Sequence, residues 1–151
     1  MPADYHTHTP LCMHAEGQPE AFIDAAIAAG LTEYGISDHA PVGKGFFDDW
    51  RMLDSQLPDY FDWLERAKAH AGERLPVRAG MECDWLPGCE GWITDLRSRY
   101  NWDYLIGSVH YINEGWDFDN PKWVGSKWAD SDIEQVWSQY WQSYVDMADS
   151  G

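Results

Sequence analysis

The chain has 151 residues, with 44% hydrophobic and 15% aromatic content, enough to bury the core of one domain spanning 1–151 and too apolar for a disordered chain. Ten Lys and Arg against 26 Asp and Glu give a net charge of −16, which excludes the clustered positive charge that phosphate-backbone binding requires. No apolar run approaches the length of a membrane span, no basic and apolar leader opens the chain, and three cysteines without a C-x-x-C pattern fit a reducing, cytoplasmic setting.

The first segment, DYHTHTPLCMH, places His6, His8 and His14 within nine residues. Side chains alternate along an extended strand, so His6 and His8 share a face and one cation can take both imidazoles. Cys12, two residues before His14, reads as an ordinary buried thiol. PEAFIDAAIAAG then predicts a helix, with Pro19 in its first turn, Phe22, Ala25, Ala26 and Ala29 on one face, and Gly30 ending it. TEYGIS supplies a strand and leads to Asp38 and His39.

The segment 40–57 is long for a connection and carries GFFDDWRM, too apolar for a solvated linker, so a partly packed lid beside a site is expected. Arg51 within it is read as an exposed structural arginine. A second helix spans 58–71, where His70 is a surface residue, and the strand LPVRAGMEC follows it to Glu82 and Asp84. A third helix over 91–100 precedes the strand DYLIGSVHYI, which delivers His110. After the irregular stretch 114–129, a last helix is expected from Ser131, capped by Ser131 and Glu134, with Trp137, Tyr140, Trp141 and Tyr144 as its buried face.

Short apolar strands alternating with helices predict a parallel α/β architecture. His6 with His8, His39, Glu82 and His110 each fall where a predicted strand ends, the address at which parallel α/β barrels build their sites. A hydrolytic site of two or three cations needs imidazoles and a carboxylate that bridges them, and Glu82 is the natural bridge. Asp38 and Asp84, beside these residues, either orient ligands or are ordinary capping carboxylates. Imidazole and carboxylate together suit Zn, Mn or Fe.

DYHTHTPLCMHAEGQPEAF, GISDHAP, AGMECDWLPG and YLIGSVHYI resemble successive motifs of the polymerase and histidinol phosphatase (PHP) superfamily, and most resemble its histidinol-phosphate phosphatase branch. The resemblance implies a distorted seven-stranded (β/α) barrel with up to three divalent metals, of which this chain would be the N-terminal part, about four strand-helix units. It implies that His6 and His8 hold a first metal with Glu82, that Glu82 bridges to a second bound by His110, and that His14 and His39 hold a third. Glu82, His110 and His8 are then the residues on which catalysis depends most directly. Such proteins draw further ligands from later histidines, and none follows His110 here. The chain is therefore expected to be truncated at its C-terminus, with the remainder of the barrel in a full-length protein or supplied by another chain.

The implied activity is metal-dependent hydrolysis of a small phosphomonoester, L-histidinol phosphate in histidine biosynthesis, by water and without a nucleophilic side chain. The alternatives are another PHP phosphoesterase acting on nucleotides or DNA ends, and a metal-binding fragment without catalysis. The acidic charge argues against DNA, and neither nucleic acid nor membrane is an expected partner.

Overall fold

The computed structural model describes residues 2–43, 49–113 and 115–150. Of the lid sequence, 45–48 therefore lie outside the described residues, while 49–52 lie within them. The architecture is mixed α/β. Strands β1 (Ala3–Asp4), β2 (Glu33–Ile36) and β3 (Val77–Ala79) form a parallel sheet in the order β1-β2-β3. Strands β4 (Glu82–Asp84) and β5 (Ile106–Ser108) form a parallel pair, joined to the first sheet by a bridge between His39 and Glu82. Backbone hydrogen bonds make the junction continuous: Ala40 donates to Glu82 over 2.8 Å and Glu82 to Asp38 over 2.9 Å. No closed barrel forms among the described residues.

Helices α1 (Pro19–Ala28), α2 (Leu57–Ala71) and α3 (Glu90–Ser98) fall within a few residues of the sequence expectation. Pro19 opens α1 because its missing N–H is one that a first turn leaves unpaired, and Gly30 follows the helix at φ 75°, a conformation glycine adopts without strain. Ile23 and Ala26 of α1 meet Leu64, Ala67 and Ala71 of α2 over Tyr34, Ile36 and Ala79 of the sheet, forming one core. Burial of apolar surface on this scale is the main driving force of the fold.

The predicted third strand, LPVRAGMEC, is two strands. The chain turns at Gly80 and Met81, so β3 pairs with β2 and β4 with β5. The cause is the Tyr104 ring, which lies so close to Gly80 that a Cβ there would stand 2.3 Å from Cζ. The Tyr60 hydroxyl, fully buried, donates to the Gly80 carbonyl over 2.8 Å. Glu82 consequently opens β4 rather than closing a strand.

DYLIGSVHYI also divides. His110 leaves the ladder because its N–H bonds the Asp84 carboxylate and its carbonyl accepts from Phe118, and the chain continues as β6 (Tyr111–Asn113), paired antiparallel with β7 (Trp116–Asp117).

Two expectations for the last helix are corrected. Helix α4 spans Ile133–Asp149, and its N-cap is Asp132, whose side chain accepts from Glu134 N, while the Ser131 hydroxyl turns back to the Lys127 carbonyl. Its aromatic stripe is not a buried face. Only Val136 is fully buried, and Trp137 and Trp141 are 42% and 60% exposed, because α4 leans on the β6-β7 hairpin through Phe118 instead of inserting into the core. No helix among the described residues is long and apolar enough to cross a membrane.

Candidate metal centre

Extended backbone after β1 carries His6 and His8 over the ends of the sheet, their ring centroids 5.3 Å apart. The segment is held by its neighbours: Ser37 N donates to the Thr7 carbonyl, and the Thr7 hydroxyl to the Gly35 carbonyl. A short 3-10 turn, Pro10–Cys12, capped by the Thr9 hydroxyl, then brings His14 round to face His8 at 5.5 Å and His39 at 5.0 Å.

Glu82 lies at the centre and is almost completely buried. Its Oε2 is 2.9 Å from His39 Nδ1, 3.1 Å from His6 Nε2 and 3.9 Å from His8 Nε2, and its Oε1 is 3.6 Å from His110 Nε2. All six histidine and glutamate positions singled out in the sequence thus converge on one locus. His70 stands apart, on Asp24 at 2.8 Å.

Among the described residues four buried side-chain atoms have no hydrogen-bond partner, Trp85 Nε1, Trp116 Nε1, His39 Nδ1 and Glu82 Oε2, and only the last two face one another, at 2.9 Å. Buried polar groups are nearly always paired, and an acceptor pair of this kind, an imidazole nitrogen facing a carboxylate oxygen, suits a cation where two indole N–H groups do not. The ligand atoms of His6, His8 and Glu82 lie within 4.8 Å of one another, as do those of His39, Asp84 and His110, and those of His8, Cys12 and His14. The donor set, imidazole with carboxylate, matches a divalent transition-metal site.

Burial alone would raise the Glu82 pKa, but the imidazoles of His39, His110 and His6 outweigh it and hold the carboxyl at about 2. For His110, burial acts to lower the pKa and the Asp84 carboxylate overrides it, leaving it raised. His14 is lowered, by burial and by the neighbouring His39 and His8. Burial, then the charge of Asp38, push the Cys12 thiol up to about 12, so it is a thiol and not a nucleophile at neutral pH.

Asp38 and Asp84 prove to be buried supports. Asp38 accepts from the Thr9 hydroxyl and from His39 N, and lies 3.5 Å from His8 Nδ1. Asp84 Oδ1 accepts from His110 Nδ1 at 2.6 Å. The sequence reading of Arg51 is overturned: its side chain is buried, 2.6 Å from Asp84, with further bonds to the Ala40 carbonyl and the Tyr111 hydroxyl. An arginine in an apolar loop finds its carboxylate in the interior because no water is there to solvate it.

Trp50 was also missed. Its ring stacks on His14 at 5.9 Å, meets His39 and His110 edge-on at 4.7 and 5.4 Å, and donates through Nε1 to Asp117. Its place in the GFFDDWRM segment was the available signal.

Parallel strands delivering histidines around a buried carboxylate define a mixed α/β domain with a candidate metal site. The family model described as "PHP domain" matches residues 4–149, and the chain belongs to that family. It is 38% identical over 148 residues to the "Probable histidinol-phosphatase" of Deinococcus radiodurans, covering 98% of this chain and 56% of that protein. With the histidinol-phosphatase of Bacillus subtilis it shares 28% identity, over 93% of this chain and 57% of that protein. Among solved structures it is similar to histidinol phosphate phosphatase from Lactococcus lactis, solved in complex with zinc, L-histidinol and phosphate. That likeness has a TM-score of 0.62 at 26% identity and covers 72% of this chain and 40% of that one. The chain spans about half the length of the curated relatives it matches.

Proposed function

We propose that the protein is a metal-dependent phosphomonoester hydrolase that converts L-histidinol phosphate to L-histidinol and phosphate. The observation that carries this reading is the convergence of the His6, His8, His39 and His110 imidazoles on the buried Glu82 carboxylate of a PHP domain. The relatives named as histidinol phosphatases, and the Lactococcus lactis structure with its zinc, histidinol and phosphate, supply the substrate and favour zinc over manganese or iron.

His6 and His8 would hold one cation with Glu82, Glu82 would bridge to a second held by His110, and His14 with His39 would hold a third. The cations, when bound, neutralise phosphoryl oxygens and lower the pKa of water toward neutrality. The chain's own residues do the rest. Glu82, kept ionised by its imidazole neighbours, presents two oxygens to the locus. Asp84 fixes His110 with Nδ1 as donor, since an ionised carboxylate only accepts, and so turns the Nε2 lone pair inward. Trp50 covers the His14, His39 and His110 rings and limits water on that side.

The partial-barrel architecture is part of this proposal: β1 to β5 would be strands of a seven-stranded barrel. So is the setting, histidine biosynthesis in a reducing cytoplasm, which the three free cysteines support. The charge of −16 favours a small substrate over DNA. The test is phosphate release from L-histidinol phosphate by a version extended to the length of the relatives, with zinc, manganese or iron, before and after chelation, with a nucleoside monophosphate and the 151-residue chain, expected to be nearly inactive, in parallel. Metal-dependent release from histidinol phosphate in preference to the nucleotide is expected. Preference for the nucleotide would support another phosphoesterase, and metal uptake without release of phosphate from either would support a binding module.

A further inference from the structure

The ligand atoms of His39, Asp84 and His110 lie within 4.8 Å of one another, so by position Asp84 qualifies as a metal ligand as well as Glu82 does. Its bonding says otherwise. Asp84 Oδ1 accepts from His110 Nδ1 at 2.6 Å and from His110 N at 3.2 Å. Its Oδ2 accepts from Arg51 Nη2 at 2.6 Å. The guanidinium is pinned from two further sides, by the Ala40 carbonyl at 2.8 Å and the Tyr111 hydroxyl at 3.1 Å. Both side chains are essentially inaccessible, at 2% and 0% exposure.

We infer that Arg51 is a positioning residue that decides the role of Asp84, occupying one carboxylate oxygen so that Asp84 orients His110 instead of ligating a cation itself. This rests on the reading of the cluster as a metal site. The physical basis is geometric. A planar guanidinium with five donors can hold the carboxylate, the Ala40 carbonyl and the Tyr111 hydroxyl in fixed directions at once, which the point charge of a lysine cannot. Held in that way, Asp84 keeps the proton of His110 on Nδ1 and raises the basicity of Nε2, the nitrogen that faces Glu82 Oε1. Without Arg51, Asp84 is released to rotate, and His110 loses its fixed tautomer. Residues 49–52 thereby reach the centre through Arg51, next to Trp50, whose ring covers it.

The experiment measures zinc affinity by chelator competition for the wild-type chain, Arg51→Met, Asp84→Ala and the double variant, with nitrogen-15 NMR of the His110 ring in the metal-free proteins at pH 8. Arg51→Met is expected to weaken zinc binding roughly 10- to 100-fold, as loss of an outer-shell support does, and to shift His110 from the Nδ1–H form to a mixture. Added to Asp84→Ala, it is expected to change affinity less than about threefold, because Arg51 acts through Asp84. Wild-type zinc affinity and tautomer in folded Arg51→Met, or its full loss repeated on the Asp84→Ala background, would overturn the inference. Should Arg51→Met fail to fold, the double variant carries the comparison with Asp84→Ala, since it buries neither charge unpaired. A wild-type chain that binds no zinc would defeat the metal reading, and the His110 tautomer would then decide the role of Arg51 by itself.

Discussion

His39 Nδ1 and Glu82 Oε2 stand 2.9 Å apart in the interior, with His6 Nε2 3.1 Å from the same oxygen. The contact is at ion-pair distance and joins the carboxylate proposed to bridge two cations to the imidazole proposed, with His14, for the third. Replacing Glu82 with Gln removes the charge and leaves an amide that can present only one acceptor oxygen. Glu82→Gln is expected to weaken zinc binding at least 100-fold and to lower the number of ions retained after dialysis, read by elemental analysis. Unchanged stoichiometry would remove Glu82 from the bridging role.

Zinc uptake should fall as pH falls, since each imidazole must be deprotonated to ligate. Burial works against the proton on His110, but the Asp84 carboxylate prevails and keeps its pKa raised, so the cation competes with a proton there at higher pH than for an ordinary histidine. Titration calorimetry in two buffers of different ionisation enthalpy is expected to show proton release on binding near pH 6.5. A proton count of zero across pH 6 to 7 would contradict this.

Asp117 links the β6-β7 hairpin to the site. It is nearly buried and accepts from Trp50, Trp123, Asn120 and Lys122. Burial acts to raise its pKa, but the bonds from Trp123, Asn120, its own backbone N–H and Lys122 prevail and leave it below the ordinary aspartate value. A depressed carboxylate contributes stability that is fully present above the unfolded value of about 3.9 and is lost as pH falls through the folded value. Asp117→Asn should therefore flatten the acid limb of the stability curve below about pH 4. Chemical denaturation at pH 3 and pH 7 tests it: a loss of stability on acidification equal to that of the wild type would show that Asp117 contributes nothing.

Gly80 is where the third predicted strand breaks. An added Cβ would meet the Tyr104 ring at 2.3 Å, and Tyr104 in turn donates to the Tyr5 carbonyl at 2.6 Å, so the ring is not free to withdraw. Gly80→Ala is expected to cost about 1–3 kcal/mol, the range for overpacking, or about 2–12 °C in Tm for a domain of this size. A thermal melt unchanged within about 1 °C would show that Tyr104 gives way.

The histidine positions were legible in the sequence because each stands at a polar break in an apolar, periodic segment, and the helices because Pro19, Pro58 and Gly30 punctuate them. What could not be read was tertiary in origin. The division of LPVRAGMEC follows from Tyr104, 24 residues beyond Gly80, and the burial of Arg51 from Asp84, 33 residues away. Hydrophobic spacing marked the stripe Trp137, Tyr140, Trp141 and Tyr144 as a core face, yet periodicity states that a helix has an apolar side and not that something covers it.

The account rests on cations at the Glu82 carboxylate, and the most direct measurement is an anomalous difference map from crystals grown with zinc. A peak within about 2.0–2.2 Å of both a Glu82 oxygen and His6 Nε2 is predicted. A protein that crystallises from excess zinc with His39 Nδ1 and Glu82 Oε2 still facing one another and no anomalous peak between the histidines would contradict the account at its centre.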